Sequence, residues 1–197
     1  MAGKSGTKIT GGSLRGESLT VLAGKTVRPM RSRVREALFA IIGPEIDGAR
    51  VLDLFAGSGA IGAEAISRGA RRVIFVEKDP RVLRVLEENR RRLGLFAQTE
   101  VATVDLHRTV PICDPVDIAI CDPPFPNFRV TDPEQNPWRV IERVATECVA
   151  IGGRVFLEHP SREEPPESPV IEWRDARRYG STELRWGRKV KASEDAE

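Results

Sequence analysis

Two short stretches of this sequence hold residue types that can do chemistry together. The first is CDPPF, Cys121 to Phe125. It follows the run Val116–Ile120, which reads as a buried strand. Two prolines remove two backbone N–H donors and fix φ at about −65°. The residue before each proline is driven toward extended backbone. The segment is therefore a stiff ledge presenting the Asp122 carboxylate, carbonyls with no N–H beside them, and the Phe125 ring. Acceptors beside one flat ring suit a planar group with hydrogens to donate. The second stretch is DLFAGSGAIG, Asp53 to Gly62. Gly57, Ser58 and Gly59 follow a strand and open a helix, where glycine lets a ligand approach the backbone and the helix start offers free N–H groups. Glu77 ends the next strand, 18 residues after Gly59. An acid at that place can accept hydrogen bonds from ribose hydroxyls. Asp105, ending the third strand, can partner an adenine amino group. The plainer readings are a packing turn for the glycines and helix caps or solvated loop acids for Glu77 and Asp105.

Such a site needs a sheet whose strands all end on one side. KITGGSLRGESLTVL has short alternating pieces and paired glycines, so a small hairpin is expected. RSRVREALFAII places Val34, Leu38, Ile41 and Ile42 on one helical face, stopped by Gly43–Pro44. ARVLDLFAGSGAIGAEAISRG reads as strand, glycine loop, helix, and RRVIFVEKDP as a strand ending in acids. RVLRVLEENRRRLG is a helix with Val82, Leu83, Val85, Leu86 and Leu93 apolar, closed by Gly94. QTEVATVDL and VDIAICDPP are the third and fourth strands. WRVIERVATECVAIGG is a helix ending at its glycine pair, and RVFLEHP is a fifth strand. PVIEWRDARRYG and STELRWGRK form an antiparallel pair around Gly180. Strands alternating with helices predict a doubly wound, seven-stranded, mostly parallel α/β sheet. The expected organisation is a basic arm with hairpin over residues 1–28, the α/β domain over 29–190, and a disordered tail over 191–197.

A chain of 197 residues with 40% hydrophobic content can bury one ordinary core. No apolar run approaches the ~20 residues of a membrane span, and the N-terminus has no signal-peptide core. Cys113, Cys121 and Cys148 lack metal-site spacing and read as small buried residues, which suits the cytoplasm. No metal cluster is visible. Residues 1–35 hold eight lysines and arginines against Glu17 alone, +7 in a chain whose total is +2, so the remainder carries −5. A basic segment before an acidic body points to a polyanion partner such as nucleic acid, or to a merely solvated surface. Arg15, Arg28 and Arg31 are the candidate phosphate contacts, and Arg129 could join them from its loop. The alternative is that these arginines only fasten the arm to the acidic body. His107 and His159 read as structural, and Trp138, Trp173 and Trp186 as core or rim packing.

Gly57-x-Gly59-x-x-Gly62 also satisfies the dinucleotide fingerprint, which would make the chain a nicotinamide oxidoreductase. Asp53 and Phe55 before the loop and the ledge after it fit another family better. DLFAGSGAIG resembles motif I of class I S-adenosylmethionine-dependent methyltransferases, and DPPF resembles their (D/N)-P-P-(Y/F) motif, found in enzymes that methylate exocyclic or amide nitrogens. KITGGSLRGESL followed by VRPMRSRVREALFAII is similar to the N-terminal signature of the RsmD-type family, bacterial small-subunit rRNA guanine-N2 methyltransferases. The likeness runs through the C-terminal hairpin. Met30, Arg31 and Ser32 depart from the small hydroxyl residues and Asp usual there, while Arg33 to Glu36 keep the pattern.

The resemblance implies S-adenosyl-L-methionine as cofactor, held by Asp53, Phe55, Ala56, Gly57, Ser58, Gly59, Glu77, Lys78, Asp105, Leu106 and Asp122. It implies Asp122, Pro123, Pro124 and Phe125 as the catalytic ledge. There Asp122 and the Pro123 carbonyl accept the two hydrogens of a flipped guanine's amino group, and Phe125 stacks on the base. The implied partner is 16S rRNA in a partly assembled small ribosomal subunit, and a monomer is expected. Other nucleic-acid amino-methylation, such as adenine N6, and a non-catalytic RNA-binding assembly factor remain alternatives.

Overall fold

The computed structural model describes residues 6–22, 30–129 and 136–192. Two antiparallel strands form a small sheet, β1 (Gly6–Lys8) with β2 (Ser18–Thr20). The other seven are β3 (Arg50–Leu54), β4 (Arg72–Val76), β5 (Thr99–Ala102), β6 (Val116–Cys121), β7 (Val149–Pro160), β8 (Ile171–Tyr179) and β9 (Thr182–Lys189). They form one sheet in the order β5-β4-β3-β6-β7-β9-β8. This is the expected doubly wound, mostly parallel architecture with an antiparallel end. The chain clusters into two compact units, Met1–Val104 and Asp105–Glu197.

In the first unit β3, β4 and β5 run parallel, with Val51 opposite Val73 and Val73 opposite Thr99. Strands buried on both faces need continuous apolar runs; VIFV is one, and VLDL is one but for the buried Asp53. Helix α1 (Ser32–Ile42) buries Val34, Leu38, Phe39 and Ile42, then stops at Gly43, whose φ of 60° a Cβ would oppose. Helix α2 (Ala60–Ser67) is buried on every side. Helix α3 (Pro80–Arg92) starts on the Asp79 cap with Pro80 at its first position, and it buries only one stripe. Gly62 fits α2 against β4, since a Cβ there would lie 2.2 Å from the Phe75 ring.

The N-terminal segment is fastened to this unit by buried charge. Arg35 and Glu64 are both fully buried, with Arg35 Nε donating to Glu64 Oε2 at 2.7 Å. Arg35 also donates to the Lys8 carbonyl at 2.6 Å and the Met30 carbonyl at 3.3 Å. Glu64 takes further bonds from Arg68 and the Thr10 hydroxyl. Burial alone would raise the Glu64 carboxyl, but the Thr10, Arg35 and Arg68 bonds outweigh it and hold it below its ordinary value. Arg35, counted among the basic charges of the first 35 residues, is therefore a structural cation and not part of a polyanion surface. Ser67 completes the fastening by donating to the Gly11 carbonyl and accepting from Leu14 N–H.

In the second unit β7 runs parallel to β6 and antiparallel to β9, and β8 pairs antiparallel with β9 across Gly180, φ 69°. Helix α4 (Pro137–Cys148) is capped by Asn136 and buries Trp138, Val140, Ile141, Val144, Ala145 and Cys148. Two boundaries differ from the expectation. Helix α4 ends at Cys148 and not at the glycine pair, because Val149 already pairs with Val116. Gly152, φ 79°, and Gly153 instead lie within β7, where its register with β6 shifts between Val116 and Ile118. The third strand ends at Ala102, so Asp105 sits in the following turn and not on the strand. Of the expected tail, residues 193–197 lie outside the described residues, as does Arg28. Among the described residues no helix is long and apolar enough to cross a membrane, and no cluster of His, Cys, Asp or Glu is arranged for a metal ion.

Candidate functional site

The first unit presents the glycine loop at the carboxyl end of β3. Phe55 leaves the strand with φ 57°, the one positive value at a non-glycine among the described residues. Strain of this kind costs of order 1–3 kcal/mol and persists where the surroundings impose it. Here Ala56 N–H donates to the Val76 carbonyl at 2.9 Å and pins the turn to β4. Gly57 and Gly59 follow with φ of 57° and 81°. Gly59 N–H closes back on the Ala56 carbonyl at 2.8 Å and Gly59 caps α2.

Three polar side chains hold this loop. Asp53 is fully buried, and its Oδ2 accepts Gly62 N–H at 2.9 Å. Burial pushes its carboxyl up to about 8, with the Gly62 bond opposing this and the nearby Glu77 charge adding to it. Its Oδ1 is buried with no hydrogen-bond partner among the described residues. Protonated, that oxygen lacks an acceptor; ionised, it lacks a donor. Either way this buried oxygen is one polar partner short among the described residues. Glu77, at the end of β4, accepts Gly57 N–H on Oε2 at 3.1 Å and the Lys78 and Asp79 N–H groups on Oε1 at 2.8 and 2.9 Å. Three of roughly four lone-pair positions are used, leaving Oε2 able to take one more donor. Lys78 is exposed. The third holder is Asn89 of α3, whose Nδ2 donates to the Ser58 carbonyl at 2.9 Å.

The second unit presents the proline ledge at the carboxyl end of β6. Asp122 is half-buried, Pro123 buried, Pro124 exposed and Phe125 half-buried. A short 3-10 turn, Phe125–Arg129, follows. Asn127 N–H donates to the Pro124 carbonyl at 2.9 Å, whereas the Pro123 carbonyl accepts nothing among the described residues. Phe125 meets Phe128 edge-on at 6.4 Å, and Phe128 meets Trp138 edge-on at 5.8 Å. His159 lies 4.8 Å from Trp138. It is fully buried and held below its usual range by burial, although its bond to the Pro160 carbonyl and the Glu183 charge oppose this. It is therefore a neutral wall of the cluster. Asp105 forms its own turn, accepting His107 N–H at 3.2 Å on its side chain and Arg108 and Thr109 N–H on its carbonyl. Leu106 is buried, and its carbonyl accepts from Arg143 of α4. This turn meets the ledge through His107 Nε2 and Asn127 Nδ2, 3.4 Å apart.

Within the first unit, Asp53, Phe55, Ala56, Gly57, Ser58, Gly59 and Glu77 thus converge on one loop. Within the second, Asp105 and Leu106 are joined to the Asp122–Phe125 ledge through the Asn127 turn. Arg15, Arg31 and Arg129 are exposed. The sequence reading passed over Asn89, Asn127 and the Arg35–Glu64 pair. The available signal for Asn89 was an amide standing at an apolar-stripe position of a helix. Arg35 and Glu64 lie 29 residues apart and gave none.

The strand order and the glycine loop define the fold of class I methyltransferases. Within it, the chain belongs to the family described as Conserved hypothetical protein 95, whose model matches residues 7–188, the RsmD-type family of the sequence resemblance. A relative from Haemophilus influenzae, Ribosomal RNA small subunit methyltransferase D, is 37% identical over 126 residues, 62% of this chain and 65% of its own. Its namesake from Escherichia coli K12 is 37% identical over 124 residues, 63% of each chain. The alignments thus span just under two thirds of these relatives' length. Among solved structures, yhhF from Escherichia coli, assigned as a methyltransferase, superposes with a TM-score of 0.80 at 29% identity, over 96% of this chain and all of that one. An RNA methyltransferase from Salinibacter ruber in complex with S-adenosyl-L-homocysteine shares the fold, TM-score 0.63 at 14% identity, over 85% of this chain and 97% of that one.

Proposed function

We propose that this protein methylates the exocyclic N2 of one guanine in 16S rRNA, using S-adenosyl-L-methionine. The observation that carries the reading is the ledge: a half-buried carboxylate, a rigid carbonyl with unused acceptor capacity and an aromatic ring, all at the end of one strand. A guanine amino group is a poor nucleophile because its lone pair is delocalised into the ring. Asp122 and the Pro123 carbonyl accept its two hydrogens, which localises electron density on nitrogen and aims it. Phe125, backed by Phe128 and Trp138, stacks on the base. The cofactor supplies an electrophilic methyl group on a sulfonium sulfur. On the protein side, Glu77 Oε2 accepts a ribose hydroxyl, the Gly57–Gly59 backbone lies against the cofactor, and Asp53 Oδ1 gains its missing partner. Asp105 and Leu106 line the adenine end, and catalysis is mostly alignment.

The names borne by the Haemophilus and Escherichia relatives support ribosomal RNA as the substrate. Arg15, Arg31 and Arg129 hold its phosphates, and the enzyme works as a cytoplasmic monomer on a partly assembled small subunit. The test is to delete the gene and map 16S rRNA by mass spectrometry. Loss of a single N2-methylguanosine is expected; loss of an N6-methyladenosine, or of no mark, overturns the assignment.

A further inference from the structure

We infer that Asn89 is a positioning residue that clasps the N-terminal hairpin to the glycine loop, so that cofactor binding and hairpin docking are one coupled event; the inference rests on the methyltransferase reading of that loop. Along α3, Val82, Leu86 and Leu93 recur at helical spacing, and Asn89 occupies the stripe position between Leu86 and Leu93. It is 2% exposed. Asparagine is a poor residue for a helix interior, and a buried carboxamide is costly unless each of its polar groups is bonded. Here they are. Nδ2 donates to the Ser58 carbonyl and to the Thr20 carbonyl, both at 2.9 Å, and Oδ1 accepts Thr20 N–H at 2.9 Å.

One amide therefore satisfies both backbone groups of Thr20, as a neighbouring strand would, and holds the loop carbonyl between Gly57 and Gly59. One turn earlier the same helix supports the next loop residue, since a Cβ on Gly59 would lie 2.5 Å from Leu86 Cδ1. One turn later Arg92 bonds the Ser18 carbonyl and pairs with Glu17 at 3.2 Å. Strand β2 and the Ser58–Gly59 turn thus share a single helical mount. Whatever orders the loop steadies β2, and by reciprocity whatever seats the hairpin tightens the loop. RNA held through Arg15, within the segment that joins β1 to β2, then favours cofactor binding without touching the cofactor.

The test uses hydrogen exchange on the full chain with and without S-adenosyl-L-homocysteine, whose binding is first measured by calorimetry. In the wild type, the product should slow exchange of the peptide spanning Leu19–Thr20 by about fivefold or more, the lower range of ordinary coupling. Asn89→Asp keeps an acceptor for Thr20 N–H and loses both donations. It should raise the product Kd and the KM for cofactor about tenfold, keep kcat within about twofold, and abolish the transmitted protection. A merely structural asparagine would lower stability without altering how the product changes Thr20 exchange. If the product binds the wild type and leaves Thr20 exchange unchanged, the coupling is refuted while the methyltransferase reading stands, and this arm decides even if the variant does not fold. If the product does not bind the wild type, the reading and the inference fall together.

Discussion

The glycine loop and the proline ledge are made rigid by opposite means. Glycines at 57 and 59 leave the backbone free to take φ values of 57° and 81°, so stiffness has to come from outside. Glu77 holds Gly57, Asn89 holds Ser58, and Asp53 holds Gly62, each by a hydrogen bond from a different element. The ledge carries its stiffness in its covalent geometry. Two prolines fix φ without partners, and the turn that follows them is built on ring edges, Phe125 on Phe128 and Phe128 on Trp138, with His159 beside Trp138. The loop should therefore be fragile to loss of the polar side chains that hold it from other elements. The ledge should be fragile mainly at Asp122 and Phe125, the residues proposed to hold the base.

The largest effect expected from this contrast is at Arg35. Arg35→Ala leaves the buried Glu64 with only Arg68 and the Thr10 hydroxyl and strips the Lys8 and Met30 carbonyls of their donor, which costs up to about 3–5 kcal/mol. Urea denaturation should show a loss of that size. A loss under about 1 kcal/mol would mean that this pair does not carry the mounting of the hairpin energetically. Next comes Glu77. Glu77→Ala should weaken S-adenosyl-L-homocysteine binding by roughly 1.5–3 kcal/mol, the scale of bonds to a charged group, with the fold intact. Unchanged affinity by calorimetry would remove Glu77 from the cofactor contacts.

A smaller effect should appear in the pH dependence of stability. Asp53 is near 3.8 when unfolded and about 8 when folded, so the folded state binds the extra proton between those values. Its contribution is complete below pH 3.8 and is lost as pH rises through about 8. Asp53→Asn retains an acceptor for Gly62 N–H and cannot ionise. Thermal melts of the ligand-free protein from pH 5 to 8 should therefore fall less for the variant than for the wild type. Parallel curves would place a charged carboxylate there throughout. The smallest effect belongs to the surface. Arg15→Gln should reduce the log–log salt slope of RNA affinity by roughly 0.7–0.9, with stability unchanged. An unaltered slope would move the RNA surface toward Arg31 and Arg129.

Most of the frame was legible because its signals are local. Apolar runs of strand length, the glycine turn and the proline pair place β3, β6, the loop and the ledge within a residue or two. The boundaries that moved were set by distant partners. Helix α4 stops at Cys148 because Val149 is claimed by Val116, some thirty residues earlier. The basic N-terminus read as an arm because nothing local reveals that Arg35 is buried against Glu64. Asn89 was hidden for the same reason, since its partners Thr20 and Ser58 lie 69 and 31 residues away.

The central claim is a division of labour, with the loop for the cofactor and the ledge for the acceptor amine. Asp122→Asn tests it most directly, because the amide is isosteric with the carboxylate but places an N–H₂ where the base presents its own. Single-turnover methylation of 16S rRNA at saturating cofactor should fall by about 10²–10³, the scale of losing one preorganised electrostatic contact. S-adenosyl-L-homocysteine affinity should stay within about twofold. A rate that survives within a few-fold, or a collapse of cofactor affinity in its place, would contradict the account.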